Sequence, residues 1–326
     1  MVMAQSLFKL LRATDADIEL TVLAPEWSLP LLQRMPEVDR SICSPFRHGE
    51  LKLWQRLRIG LDLQGQFDTA IVLPNSFKSA LIPWFARIRR RVGWRGEFRN
   101  LLLTDCRRLD PTALPLMVHR FMALGLTPDQ PLPAEIPRPE LKQDSTVAAD
   151  TRAVLQLPFD KAALVICPGA EYGEAKQWPT GHFAELAGLV IARGWQVWIV
   201  GSPNDRAVAE EIINAVDPQQ QASCFNLTGK TSLGQAADLI SLATAVVSND
   251  SGLMHIAAAL KIPVVALYGS TSPDFTPPLA DRVKLLSTDI DCRPCFQRRC
   301  PLGHLRCLTE IRAERVFQEL QTLLKA

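Results

Sequence analysis

Val246-Val247-Ser248-Asn249-Asp250-Ser251-Gly252-Leu253-Met254-His255 carries the decisive pattern of this chain. An apolar run too short for a helix stops at a polar cluster, and a helical pattern starts around Ser251 and Gly252. The same motif of strand, polar turn and helix recurs on either side. Glu19–Leu23, Thr69–Leu73, Ala163–Cys167, Gln196–Val200, Ala245–Ser248, Pro263–Tyr268 and Val283–Leu286 read as strands. Most are apolar at successive positions, as strands covered on both faces of a parallel sheet are. Pro179–Arg193, Asp205–Val216, Leu233–Ala243 and Leu253–Leu260 alternate with them as amphipathic helices. Strand and helix in alternation give an α/β fold.

The chain has 326 residues, enough for two domains at roughly 150 residues each. Pro128, Pro131, Pro133, Pro137 and Pro139 make residues 126–143 a semi-rigid connector. The expected boundary is near residue 145, giving domains 1–145 and 146–326. Hydrophobic residues make up 47% and charged residues 21%, which excludes a disordered or fibrous chain. The formal net charge of +2 excludes a protein that coats nucleic acid broadly. No apolar run reaches the roughly 18 residues of a membrane span, and no signal peptide opens the chain. The expected compartment is the cytoplasm. Met1–Leu11 already has helical periodicity with no strand before it, as if the first strand and loop of the first domain were missing.

Three strand ends in the second half point to one sheet edge, where such folds bind ligands. After Ser248, Asp250 or Ser251 can cap a helix whose free N–H groups suit a phosphate, with His255 in its first turns. The alternative there is capping with a core histidine. Cys167-Pro168-Gly169-Ala170-Glu171-Tyr172-Gly173-Glu174-Ala175-Lys176 makes a flexible turn, from which Lys176 can reach an anion or simply be solvated. Asp205, after Val200, reads equally as a ribose acceptor or a helix cap. Neither a dinucleotide fingerprint nor a P-loop is present.

Two other segments stand out. Residues 87–108 hold eight arginines against Glu97 and Asp105, a net charge of +6, with Trp84, Trp94 and Phe98 interleaved. That pattern fits a polyanionic acceptor, an anionic membrane surface or a solvated basic face. Cys292, Cys295, Cys300 and Cys307 lie within 16 residues, with His304 among them. A structural metal, reduced thiols and disulfides all fit that spacing.

Val246–Leu260 and Pro263–Pro278, together with Cys167–Pro179, Leu73–Leu81 and Val92–Glu97, resemble the lipopolysaccharide heptosyltransferase family along essentially the whole chain. The resemblance implies a GT-B fold, two Rossmann-like domains facing a cleft. The second domain would bind ADP-heptose and the first the lipopolysaccharide inner core, Kdo–lipid A bearing heptose. Lys176 matches the lysine at the sugar nucleotide. Asp250, Ser251, Gly252 and His255 match the diphosphate and heptose loop. Glu171 and Tyr172 fall beside the donor, and Asp205 near the adenosine ribose. Lys78, Arg95 and Arg120 match acceptor positions. Transfer would invert the anomeric centre without a metal or cofactor. The protein would sit peripherally on the inner face of the cytoplasmic membrane and bind no nucleic acid.

Relatives place a general-base aspartate in a loop before the first helix, which here would lie upstream of Met1. Asp15 and Asp17 lie beyond that helix. The alternative expectation is therefore a truncated nucleotide-sugar-binding homologue with little or no turnover.

Overall fold

The computed structural model describes residues 1–47 and 49–325. They form two units. Unit 1 comprises residues 3–29 and 37–137 with Met1, and unit 2 runs from Arg138 onward with Val2 and Pro30–Pro36. The change of unit after Pro137 falls inside the proline-rich connector.

Unit 1 contributes β1 (Thr21–Pro25), β2 (Arg40–Ser44), β3 (Thr69–Val72), β4 (Arg90–Trp94) and β5 (Asp105–Arg107). All pairings are parallel. β1 pairs with β2 in one sheet, and the order β3-β4-β5 makes another. The unit opens on a 3₁₀ turn, Val2–Ala4, and a helix, Gln5–Thr14, whose N-cap position, Ala4, makes no side-chain cap. Among the described residues no strand precedes this helix, and β1 and β3 share no neighbouring strand.

Unit 2 carries β6 (Ala163–Cys167), β7 (Gln196–Ile199), β8 (Cys224–Asn226), β9 (Ala245–Asn249), β10 (Val264–Leu267) and β11 (Val283–Leu286). They form one parallel sheet in the order β11-β10-β9-β6-β7-β8. From β6 the chain runs outward through β7 and β8, then returns to the other side of β6 and runs outward again. The strand order thus switches between β6 and β9, and at the carboxyl edge of such a switch doubly wound sheets have their ligand crevice. Every residue of β6, β7, β9 and β10 is buried, so the uninterrupted apolar runs report helices on both faces. Leu164, Val247 and Leu267 pack with Phe183 and Leu186 of helix Thr180–Ile191, and with Val316 and Leu320 of helix Ala313–Lys325.

Pro30–Pro36 is fastened to unit 2 by charge. Asp238 is fully buried and accepts from Arg34 Nε at 3.2 Å, from Arg34 Nη2 and from the Asp144 N–H at 3.0 Å. Several donors on one carboxylate are what a buried charge requires. Asp144 in turn caps helix Ser145–Val154 by accepting from the N–H groups of Thr146 and Val147.

The arginine-rich segment meets the reading of a basic face only in part. It is not one basic face, because β4 and β5 run through it. Arg99 is fully buried and donates to main-chain carbonyls: Nε to Trp94 at 2.8 Å, and Nη1 to Pro74. Its Nη2 also donates to Asn75 Oδ1 at 3.0 Å. Arg91 donates Nε to the Leu102 carbonyl at 2.6 Å, and Arg107 grips Asp105. Arg87, Arg89, Arg90, Arg95 and Arg108 remain exposed. The first three lie at the start of β4, and the other two lie beyond the ends of β4 and β5.

Arg99→Leu leaves the Trp94 and Pro74 carbonyls without that donor, at about 1–3 kcal/mol per buried group. Its thermal midpoint should fall by several degrees. Arg87→Ala should stay within about 0.5 kcal/mol of the parent. Calorimetric melting of the two variants checks the contrast.

Candidate active site

Asp250 follows β9 at the sheet's crevice and is 6% exposed. Its Oδ2 accepts from Lys176 Nζ at 2.6 Å and from Thr271 Oγ1 at 2.7 Å. Lys176 comes from the loop after β6, and Thr271 from the loop after β10. One carboxylate oxygen thus joins three loops of neighbouring strands. A charge desolvated this far persists only when it is paired and hydrogen-bonded.

Asn249, the last residue of β9, ties the same loops beneath. Its Oδ1 accepts from the Trp178 N–H at 3.1 Å, and its Nδ2 donates to the Pro168 carbonyl at 2.7 Å. Trp178 is buried and donates Nε1 to the Ile311 carbonyl.

Ser251 takes the N-cap position of helix Gly252–Ala259 but makes no side-chain cap, its hydroxyl instead meeting Ser248 Oγ at 3.1 Å. Asp250 directs its Oδ2 to Lys176 and Thr271. No atom lies within 4 Å of where a Gly252 Cβ would stand, so there is open space above the first turn. Uncapped N–H groups with room before them suit an anion.

His255 is half-buried one turn later. Burial pushes its imidazole down to about 4, against the raising effect of Asp250. Tyr172 lies beside Lys176, with Nζ 4.9 Å from the ring centroid, and its hydroxyl donates to the Phe296 carbonyl. Glu171 is exposed on the same loop.

Asp205 is the first turn's own carboxylate. Its Oδ2 accepts from the Ser202 N–H at 2.7 Å and from Ser202 Oγ at 2.8 Å, which forms a capping box. Cβ atoms at Gly169 and Gly201 would stand 2.5 Å and 2.7 Å from Asp205 oxygens, so glycines let two loops close on it.

In unit 1, Lys78 and Arg95 come from the adjacent loops after β3 and β4. Arg95 is exposed, and Arg56 Nη1 donates to the Lys78 carbonyl at 2.9 Å. Arg120 directs Nε to the Leu114 carbonyl at 2.8 Å. Asp15 ends the opening helix, and its Oδ1 accepts from the Asp17 N–H.

All eight cysteines are free thiols in this structure. Among the described residues no group of three or more His, Cys, Asp or Glu side chains is set to hold a metal ion.

Residues 51–306 match the model of glycosyltransferase family 9, the heptosyltransferases. The chain belongs to this family. As a glycosyltransferase family 9 member it is a transferase. It is 44% identical over 330 residues to lipopolysaccharide heptosyltransferase 2 of Escherichia coli, spanning 99% of this chain and 95% of that protein. The lipooligosaccharide heptosyltransferase 2 of Haemophilus ducreyi is 43% identical, with 99% and 96% covered. The solved structure of E. coli ADP-heptose lps heptosyltransferase II superimposes with a TM-score of 0.90 at 43% identity, covering all of this chain and 95% of that one. The α/β fold with parallel sheets is thus that of GT-B heptosyltransferases.

Thr271 and Asn249 join the candidate site; both lie in segments the sequence marks, but neither was given a role there. Their partners are 21 to 81 residues away in the chain.

The unfolded chain carries His255 at about 6.5 and the folded one at about 4. Between those values the unfolded state binds the extra proton, so this histidine's stability contribution is complete above 6.5 and is lost as pH falls towards 4. Urea midpoints across that window should drop more steeply for the parent than for His255→Gln. Equal slopes would contradict the assignment.

Proposed function

We propose that this protein transfers L-glycero-D-manno-heptose from ADP-heptose to the inner core of lipopolysaccharide, Kdo–lipid A bearing heptose, with inversion at the anomeric carbon. The reading is supported above all by the Lys176–Asp250–Thr271 cluster beside an uncapped helix N-terminus. Lys176 and the first N–H groups of helix Gly252–Ala259 receive the diphosphate, and the space above Gly252 admits it. Ser251 and His255 line that seat. Tyr172 and Glu171 flank the donor from the β6 loop, and Asp205 uses its remaining oxygen near the ribose.

The acceptor hydroxyl attacks the heptose anomeric carbon as the bond to the ADP oxygen breaks. Negative charge then grows on the β-phosphate. A fixed ammonium and oriented N–H dipoles stabilise it most at that moment, which is where electrostatic catalysis acts. Asp250 holds Lys176 in place and is a positioning residue in this scheme. Lys78, Arg95 and Arg120 meet the anionic groups of the acceptor.

The enzyme works in the cytoplasm, peripherally on the anionic inner face of the membrane. Among the described residues no helix is long and apolar enough to cross a bilayer. The exposed arginines Arg87, Arg89, Arg90, Arg95 and Arg108 supply the attraction, at about 1 kcal/mol per basic residue near an anionic surface.

Lys176→Ala should lower kcat/KM for ADP-heptose at least about tenfold, since a charge-assisted contact is worth roughly 1.5–3 kcal/mol. Steady-state transfer assays decide this, and an unchanged value removes Lys176 from the donor site. Sedimentation with anionic vesicles should show binding at low salt that disappears as the Debye length shrinks to about 3 Å near 1 M salt. Binding indifferent to salt would refute an electrostatic attachment.

A further inference from the structure

The donor scheme leaves Cys292, Cys295, Cys300 and Cys307 unused, yet they lie on the segment that braces it. All four line one small cavity of about 20 Å³, together with His304, Ala175 and Ser270. The chain between these cysteines holds two donor loops. Arg293 donates Nε to the Gly269 carbonyl and Nη2 to the Thr271 carbonyl, each at 3.1 Å. The Phe296 N–H donates to the Ser270 carbonyl at 2.8 Å, and the Ala175 N–H donates to the Arg298 carbonyl at 3.1 Å. The Phe296 carbonyl takes the Tyr172 hydroxyl. Thr271 is the residue that donates to Asp250, and Ala175 precedes Lys176.

The thiols are not equivalent. The nearby main-chain N–H groups of Leu305, Leu302, His304 and Gly303 draw the Cys300 thiol below its ordinary value. Burial pushes Cys307 up. Cys300 is partly exposed, and Arg298, Arg299 and Arg306 around it are exposed. Thiolate character with access marks a reactive cysteine, and nearby thiols supply a resolving partner.

We propose that Cys300 is an oxidation site whose disulfide with another thiol of this cluster loosens the donor loops; the coupling, though not the thiol chemistry, rests on the donor-site reading above. The oxidant is a peroxide. The Cys300 thiolate attacks the O–O bond, so that an S–O bond forms, the O–O bond breaks, hydroxide leaves, and sulfur gives up two electrons. A second cysteine thiol then displaces hydroxide from the sulfenic sulfur. The S–S bond forms, the S–O bond breaks, and the thiol proton leaves with hydroxide as water. Closing the bond draws residues 293–298 away from Gly269, Thr271 and Ala175, and so loosens the support of Asp250 and Lys176.

The test uses the full chain. Iodoacetamide at neutral pH, followed by peptide mapping, should label Cys300 at least about tenfold faster than the exposed Cys43. Hydrogen peroxide should remove two hydrogens from the peptide holding residues 292–307 and weaken ADP binding at least about tenfold by calorimetry, which dithiothreitol restores. Cys300→Ser should keep the reduced protein's ADP affinity and lose the peroxide response. Labelling of Cys43 as fast as Cys300 overturns the proposal, as does a stoichiometric metal found on these thiols. A disulfide that leaves ADP affinity unchanged overturns the coupling. Reduced protein that binds no ADP counts against the donor-site reading instead, while the labelling map still decides the thiol site.

Discussion

The Asp250 carboxylate imposes the tightest constraint in unit 2. It is nearly withdrawn from water, and an ionised carboxylate there needs donors fixed by the fold. Lys176 and Thr271 meet this need from loops that leave β6 and β10, on either side of β9. The loops can converge because the chain reverses its direction of travel across the sheet at β6 and β9. The same reversal opens the crevice. Satisfying one buried charge therefore also sets a cation and an uncapped helix end side by side. Moving Lys176 by a residue would leave that carboxylate with Thr271 alone among its two side-chain donors.

Legibility in the sequence followed burial. β6, β7, β9 and β10 could be read directly because helices cover both of their faces, and most of their buried side chains are apolar. β4 was hidden, since Arg90 and Arg91 open it and arginines normally mark a solvated segment. β2 and β8, with partly buried or exposed residues, lack the continuous apolar run that announces a strand. The loops bearing Lys176, Asp250 and Asp205 were legible because a polar cluster directly after a buried strand is a local signal. The part Thr271 plays was not, because it depends on a partner on another loop.

Counting charge was the least reliable guide. Eight arginines in one segment suggested a single basic surface, but Arg91, Arg99 and Arg107 spend their donors on carbonyls and on Asp105. A guanidinium has five N–H donors and a long apolar stem, so it can satisfy several inward-facing carbonyls at once. Arg56 does the same, binding the Leu51, Lys78 and Glu50 carbonyls. Loops after β2, β3 and β4 are thus stitched by buried arginines, which leaves fewer to meet an anion than composition implies.

Asp205 is held in place by its own helix start and by two neighbouring loops. Its Oδ2 is committed to the Ser202 capping box, and the loops after β6 and β7 close on it through Gly169 and Gly201. Neither glycine has a positive φ, so what matters at both positions is the missing Cβ rather than backbone freedom. A carboxylate locked at a helix start, with its second oxygen uncommitted to the cap, loses little further rotamer entropy when a hydroxyl group approaches. The cap orients Asp205 before any ligand arrives. The ion pair with Asp250 does the same for Lys176, so both side chains are already ordered in the folded protein.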